Sequence, residues 1–126
     1  MKIFIAQQNY HIGNFELNTQ KIIEAIETAK AAGGDLILFS EMTVSGYPAR
    51  DFVEFEDFIE KCTNSVNIIK EHADTIGVLI GSPVKNKHLK GKDLFNAAYF
   101  LYEKEVKSIV HKTLLPTYDV FDEYRY

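Results

Sequence analysis

Residues 36–51 read LILFSEMTVSGYPARD, and this stretch decides the fold class. Its first four residues are apolar on both sides of an extended chain, which is typical of a short strand buried in a parallel sheet. Gly46 and Pro48 then predict a loop over residues 41–51. Glu41 therefore follows the carboxyl end of a core strand, which is where α/β sheets commonly place their binding sites.

The flanking segments predict two helices. The first is predicted to have Asn18 as its N-cap and to end at Gly33 and Gly34, because asparagine commonly caps helices and glycine commonly follows their last turn. The second is predicted over about residues 57–73. Both carry apolar residues at the spacing of an amphipathic helix, namely Ile22, Ile26 and Ala29 in the first and Phe58, Cys62, Val66, Ile69 and Ala73 in the second.

Strands are predicted before, between and after these helices. Residues 2–7 predict a strand buried on two faces, and residues 76–80 predict another that Gly81 and Pro83 close. The alternation of strands and helices with short connections indicates an α/β layered fold.

A predicted hairpin ends at a lysine. Residues 97–102 and 106–111 predict two antiparallel strands joined by a tight turn, so the sheet should be mixed rather than purely parallel. Lys112 directly follows the second strand. An isolated charge at a strand end is most often a surface group. If the strands before Glu41 and Lys112 are neighbours in the sheet, however, both side chains emerge at the same rim.

Two motifs around these charged residues resemble the nitrilase superfamily of carbon–nitrogen hydrolases. FSEM followed by SGYP at residues 39–48 resembles its glutamate loop, and HK followed by LP at residues 111–116 resembles its lysine motif. The resemblance implies a nitrilase-like α-β-β-α layered sandwich with a mixed sheet. Residues 1–126 are expected to be one partial domain of this type, truncated after its front part, because the chain stops in an aromatic, acidic stretch.

Two longer segments are similar to the glutaminase domains of glutamine-dependent NAD synthetases, SGYPARD at residues 45–51 and LPTYDVFDEYRY at residues 115–126. The resemblance implies that Glu41 is the general base and Lys112 the catalytic lysine. It also implies that glutamine binds in a pocket to which three further residues contribute, namely Tyr118, Tyr47 and Glu123.

Glutaminases of that family supply ammonia to a second, ATP-binding domain. The resemblance therefore implies that glutamine is converted to a glutamyl thioester and ammonia, and that the ammonia attacks adenylated deamido-NAD to yield NAD. ATP and magnesium would serve the synthetase domain, whereas the glutaminase domain would need no cofactor and no metal. A carboxylate and a fixed ammonium suit this chemistry, because they can deprotonate a thiol and stabilise an oxyanion.

The one cysteine is not expected to supply the thiol. Cys62 precedes Lys112 and lies on the apolar stripe of the second predicted helix, where burial raises the pKa of a thiol. In the superfamily, the stretch between the catalytic lysine and the catalytic cysteine is longer than the stretch from Lys112 to Tyr126. Residues 1–126 alone are therefore expected to be inactive. Two alternatives stay open: another nitrilase-type amidase, acting on an ω-amide or carbamoyl compound, and a non-catalytic interaction module with this fold.

Composition and charge narrow the class of protein further. The net charge of −4 argues against a nucleic-acid partner, and no apolar run approaches the roughly 20 residues that cross a bilayer.

A single cysteine suits a reducing cytoplasm, and four histidines without ligand spacing argue against a metal site. An incompletely covered layered core predicts a homo-oligomer, because exposed apolar sheet surface favours association.

Overall fold

One mixed sheet of five strands runs through the chain. The computed structural model describes residues 1–87, 91 and 93–118. The strands lie in chain order across the sheet, the first three parallel to one another and the last two antiparallel to their neighbours. The predicted α/β fold with a mixed sheet is thus confirmed. The strands are Ile3–Ala6 (β1), Leu36–Phe39 (β2), Gly77–Lys85 (β3), Leu94–Tyr102 (β4) and Glu105–His111 (β5).

Two helices cover one face of the sheet. α1 spans Phe15–Ala31 and α2 spans Glu56–Lys70, with a short 3-10 helix at Arg50–Glu54 before α2. α1 and α2 each connect two parallel strands, and right-handed crossovers of this kind place both on the same side. Neither is long and apolar enough to cross a bilayer, and the same holds for every helix in the described part of the chain. The core between helices and sheet includes side chains that are at most 1% exposed, among them Ile22, Ile26, Cys62, Ile69, Val78, Ile80 and Leu101.

The start of α1 corrects the sequence prediction. Asn14, not Asn18, is the N-cap, because its side-chain oxygen accepts a hydrogen bond from Leu17 N at 3.1 Å. Asn18 lies one turn inside the helix and is fully buried. The prediction of Asn18 as the N-cap is wrong because both asparagines suit a cap by residue type, and only the tertiary contacts distinguish them. The 3-10 helix is a second difference, since the predicted loop extends to residue 51 and no helix is predicted at residues 50–54.

Two strands also differ from the prediction. β1 is an edge strand of the described sheet rather than a doubly buried one, and Ile3 and Ile5 are 49% and 79% exposed. β3 continues through Gly81 and Pro83 instead of ending before them. β2 pairs with β3 only as far as Leu79. Beyond Leu79, β3 has no pairing with β2. Pro83 is tolerated there because its nitrogen, which lacks a hydrogen, need not donate a hydrogen bond to a neighbouring strand on that side.

β4 and β5 form the predicted hairpin. Glu103 and Lys104 at its turn have φ values of 53° and 59°. Two successive residues with positive φ are typical of a type I′ turn, whose twist matches that of the flanking strands. The hairpin reverses the chain, so Lys112 emerges at the far end of β5.

The sheet face opposite the helices is apolar, and we call it the open face. Alternation along the strands puts Ile5, Phe100 and Val110 on this side. Ile5 is 79% and Val110 is 63% exposed, so the described residues do not cover them. Exposed apolar surface of this kind commonly marks a contact with other protein.

A polypeptide of residues 1–126 is expected to self-associate through the open face. Replacing Ile5 or Val110 with lysine should weaken the association, because an ammonium in an apolar contact loses its water. The matched control is Ile68→Lys, since Ile68 is 53% exposed on α2 and lies away from the open face. Analytical ultracentrifugation of the three variants and the wild type measures the effect. A wild-type polypeptide that stays monomeric at high concentration would contradict this prediction.

An ion-pair network ties the end of α1 to the segment before β3. Lys30 Nζ lies 2.8 Å from Asp74 Oδ1 and 3.2 Å from Glu27 Oε1, and His72 Nδ1 lies 2.9 Å from the same Glu27 oxygen. The hydrogen bond from Lys30, helped by one from the Thr75 backbone, lowers the pKa of Asp74 from 3.8 to about 2. The ionised form of Asp74 is therefore the one that the fold stabilises.

Acid is accordingly expected to destabilise the fold through Asp74. Its carboxylate stabilises the native state above pH 3.8, and this contribution is lost as the pH falls toward about 2, where the carboxylate becomes protonated. The urea midpoint of the wild type should fall more steeply over this range than that of Asp74→Asn. Asp57→Asn is the control, because the Asp57–Lys61 pair is more exposed. Equal slopes for wild type and Asp74→Asn would rule out the proposed contribution.

Candidate active site

The loop after β2 carries Glu41 across β3. Its backbone turns at Met42, whose φ is 54°, and Gly46 N donates to Met42 O at 2.9 Å. Val44 N donates to Gly81 O at 3.2 Å, which attaches the loop to β3. The approach is so close that a Cβ at position 81 would lie 2.4 Å from Met42 N. Glycine is therefore required at this point of β3, because any larger residue would displace the loop backbone.

We call residues 40–46 the Glu41 loop. Asn18 of α1 attaches this loop to the helix layer through hydrogen bonds. Its side-chain oxygen accepts a hydrogen bond from His11 N at 3.0 Å. Its side-chain nitrogen donates to His11 O at 2.8 Å and to Val44 O at 3.2 Å. Because the amide is fully buried, these bonds also satisfy polar groups that water cannot reach. The position of Glu41 is thus set by contacts inside the fold rather than by the loop alone.

Lys112 contacts Glu41 after the chain has crossed the whole sheet. Its ammonium nitrogen lies 2.8 Å from Glu41 Oε1, so the structure brings the two predicted residues together. The route assumed from the sequence is wrong, because β2 and β5 are not neighbours and β3 and β4 lie between them. The contact arises instead because the Glu41 loop crosses β3. In addition, β5 runs in the same direction as β2, so both strands end at the same edge of the sheet.

Asn96 of β4 connects the two charged residues. Its side-chain nitrogen donates to Glu41 Oε1 at 2.6 Å, and its main-chain oxygen accepts a hydrogen bond from Lys112 N at 2.8 Å. Asn96 is a site residue that the sequence prediction lacks. One signal could have indicated it, since it is the polar residue within the apolar strand LFNAAYF.

The Glu41–Lys112 pair is partly open to solvent, with side-chain exposures of 50% and 29%. Asn96 and Lys112 both donate to Oε1, and none of the described residues donates to Glu41 Oε2. The carboxylate can therefore accept a proton at Oε2, while the ammonium can stabilise a nearby negative oxygen. Within the described ranges, no group of three or more His, Cys, Asp or Glu side chains is arranged to hold a metal ion.

The three remaining predicted site residues are placed differently. Tyr47 is half-buried and packs against the core, with a cis peptide bond to Pro48. Tyr118 is 69% exposed. Glu123 lies outside the described residues. A substrate-binding role for these three side chains stays a prediction.

Cys62 lies on the opposite face of the sheet from Glu41. It is fully buried, and this burial raises the pKa of its thiol to about 12, although a hydrogen bond with Ser82 acts in the other direction. Ser82 points toward the helices while the adjacent Gly81 faces the Glu41 loop, because alternate residues of a strand point to opposite faces. The sheet therefore separates the only thiol of residues 1–126 from the carboxylate, and the predicted burial of Cys62 is confirmed.

A sequence model of the carbon–nitrogen hydrolase family matches residues 2–125. The chain therefore belongs to the carbon–nitrogen hydrolase family, as its two motifs predict. Within this class it is similar to glutamine-dependent NAD(+) synthetases, with 38% identity to that of Synechocystis sp. over 128 residues. The alignment covers 98% of this chain and 23% of the relative, so the chain spans less than a quarter of that protein's length.

Solved structures agree with this classification. The glutamine-dependent NAD+ synthetase of Acinetobacter baumannii has a TM-score of 0.89 and 33% identity, over 98% of this chain and 23% of its own. An amidase from Nesterenkonia sp. has a TM-score of 0.77 over 92% of this chain and 44% of its own, and at 20% identity it shows the fold alone. The predicted nitrilase-like fold, of which this chain forms a part, is confirmed.

Proposed function

We propose that the chain forms the front part of the glutaminase domain of a glutamine-dependent NAD synthetase. The observation that carries the proposal is the 2.8 Å contact between Glu41 and Lys112 beyond the carboxyl ends of β2 and β5. The similarity to NAD synthetases over almost the whole chain supports it. In this proposal Glu41 is the general base and Lys112 is the catalytic lysine.

Glutamine hydrolysis at this site uses a thiol from outside residues 1–126, because the sheet keeps Cys62 away from the pair. Glu41 takes the thiol proton, and the thiolate attacks the side-chain amide carbonyl of glutamine. The Lys112 ammonium stabilises the negative oxygen of the tetrahedral intermediate. The carbon–nitrogen bond then breaks, and the nitrogen leaves as ammonia with the proton that Glu41 held. Water hydrolyses the remaining glutamyl thioester to glutamate and restores the thiol.

The same proposal assigns the glutamine-binding residues, the acceptor of the ammonia and the location of the protein. Tyr118 contacts the bound glutamine, Tyr47 lines the same pocket, and Glu123 contributes to the same site as a supporting glutamate. The ammonia passes to a domain that uses ATP and magnesium to amidate deamido-NAD to NAD, whereas the glutaminase step needs no cofactor and no metal. The protein works in the cytoplasm as a homo-oligomer, with the open face covered by further protein.

A second candidate function is the hydrolysis of a different amide. The Glu41–Lys112 pair favours amide hydrolysis in general, because a base and an ammonium act on the reacting group and not on the rest of the substrate. The third candidate, a non-catalytic interaction module, is favoured by the burial of Cys62. Assays with glutamine, a free ω-amide and an N-carbamoyl compound separate the three, since each candidate predicts a different active substrate or none.

A polypeptide limited to residues 1–126 is expected to release no ammonia from glutamine above background, because no thiol of this segment reaches Glu41. The product of the complete gene, with whatever sequence follows Tyr126, is expected to release it. A coupled ammonia assay on both purified proteins measures the difference. Activity of the 1–126 polypeptide that Glu41→Gln abolishes would contradict the need for another thiol. A complete product without glutaminase activity would contradict the proposed function itself.

A further inference from the structure

The two donors to Glu41 converge on one oxygen. Lys112 Nζ lies 2.8 Å from Oε1, and Asn96 Nδ2 lies 2.6 Å from the same atom. The Lys112 distance is typical of a charge-assisted hydrogen bond, and the Asn96 distance is slightly shorter. Oε2 receives no hydrogen bond from any residue in the described ranges. The two oxygens of this carboxylate are therefore not equivalent.

We propose that Asn96 is a positioning residue that makes Oε2 the proton-accepting oxygen of Glu41. This inference rests on the proposed function, in which Glu41 takes a proton from a thiol. The proton joins Oε2, and the thiol becomes a thiolate while the carboxylate becomes a neutral carboxyl group. The amide of Asn96 remains hydrogen-bonded to Oε1 throughout this step.

Two converging donors are needed because the last torsion of a glutamate is broad. That torsion has roughly two-fold symmetry and weak preferences, so a carboxylate with one partner can exchange its oxygens. Lys112 alone cannot fix the orientation of the Glu41 carboxylate, since its ammonium ends a flexible four-carbon chain. Asn96 has a short side chain on β4, and its main-chain oxygen accepts from Lys112 N at 2.8 Å. One strand residue thereby fixes the carboxylate and the backbone of the lysine at the same time.

The neutral amide also suits the step after proton transfer. Once Glu41 is protonated it no longer attracts Lys112 as an anion, so the ammonium can turn toward the negative oxygen of the intermediate. Asn96 keeps its hydrogen bond to Oε1, because a carboxyl oxygen still accepts one after its partner oxygen is protonated. Glu41 therefore stays in place to return the proton from Oε2 to the departing nitrogen.

The test uses the product of the complete gene with Asn96→Ala and Asn96→Asp. Asn96→Ala removes the donor and is expected to lower kcat for glutamine hydrolysis by about 10- to 100-fold, with KM and Tm nearly unchanged. Asn96→Asp has almost the same shape but places a second carboxylate beside Oε1, so its kcat should be lower still. Asn67→Asp on α2 is the control for the added charge, because Asn67 is exposed there and is expected to keep the wild-type kcat.

The order of the two variants decides between positioning and packing. A residue needed only for packing would tolerate aspartate better than alanine, so a higher kcat for Asn96→Asp than for Asn96→Ala would overturn the proposal. A loss confined to KM or Tm would overturn it as well. A crystal structure of Asn96→Ala gives a readout independent of activity, and we expect the Glu41 carboxylate to be reoriented. An unchanged carboxylate refutes the positioning role, whereas a reoriented one in a protein that does not hydrolyse glutamine refutes only the proposed function.

Discussion

Replacing Glu41 with glutamine is expected to lower kcat for glutamine hydrolysis by about 10²- to 10⁴-fold in the product of the complete gene. Glutamine has nearly the shape of glutamate, and its amide oxygen can still accept the hydrogen bonds from Asn96 and Lys112. It cannot take up a proton from a thiol at neutral pH, so the nucleophile stays protonated. KM for glutamine should change little, since the base acts on the reacting groups rather than on substrate binding.

The matched control for this variant is Glu60→Gln. Glu60 is an exposed glutamate of α2, and the same loss of charge there should leave kcat unchanged. Steady-state ammonia release at saturating glutamine measures both variants. A Glu41→Gln protein within a few-fold of the wild type would show that another group acts as the base, and the catalytic assignment of the Glu41–Lys112 pair would then fail.

Replacing Gly81 with alanine is expected to have the second largest effect, although the proposed mechanism gives Gly81 no chemical role. The added Cβ would lie 2.4 Å from Met42 N and 3.0 Å from the Cα of Glu41. These are backbone atoms, so the Glu41 loop must move as a whole. A displacement of about 1 Å at a catalytic group can cost about 100-fold in rate, and we expect a loss of kcat of this size.

Gly77→Ala is the control for that variant, because Gly77 lies on the same strand and the same face as Gly81. Its added Cβ would meet side chains, at 3.0 Å from Phe100 and 3.1 Å from Leu36, and these can shift by a small amount. Parallel measurement of kcat and Tm separates loop displacement from general instability. If Gly81→Ala and Gly77→Ala lose activity only in proportion to Tm, the close approach of Gly81 has no special role.

The strands of the fold could be predicted because their signal is local. Four consecutive apolar residues in β2, and the similar run in β3, indicate that these segments form strands. Features that depend on tertiary contacts could not be predicted in this way. Asn14 and Asn18 are equally good caps by residue type, and only the fold reveals that Asn18 bonds to His11 and Val44 instead. The edge position of β1 likewise follows from the sheet order and not from its apolar sequence.

The candidate site shows the same division between local and tertiary information. The proximity of Glu41 and Lys112 could be predicted because motifs of known type surround them and each follows a strand. The route by which they meet could not, since it depends on the Glu41 loop crossing β3 at Gly81. Asn96 stands out in the sequence only as a polar residue of an apolar strand. Its contact with Glu41 could not be predicted, because it joins residues 55 positions apart and requires the register of β3 and β4.

The most direct test of the proposed function follows the nitrogen atom from glutamine to NAD. The product of the complete gene is incubated with ATP, magnesium, deamido-NAD and glutamine labelled with ¹⁵N in its side-chain amide, and the NAD formed is examined by mass spectrometry. We predict that the label appears in the amide of NAD. We also predict that Glu41→Gln abolishes this incorporation while leaving NAD formation from added free ammonia intact. A lack of label in NAD would contradict the proposed function, and so would a Glu41→Gln protein that transferred the label as efficiently as the wild type.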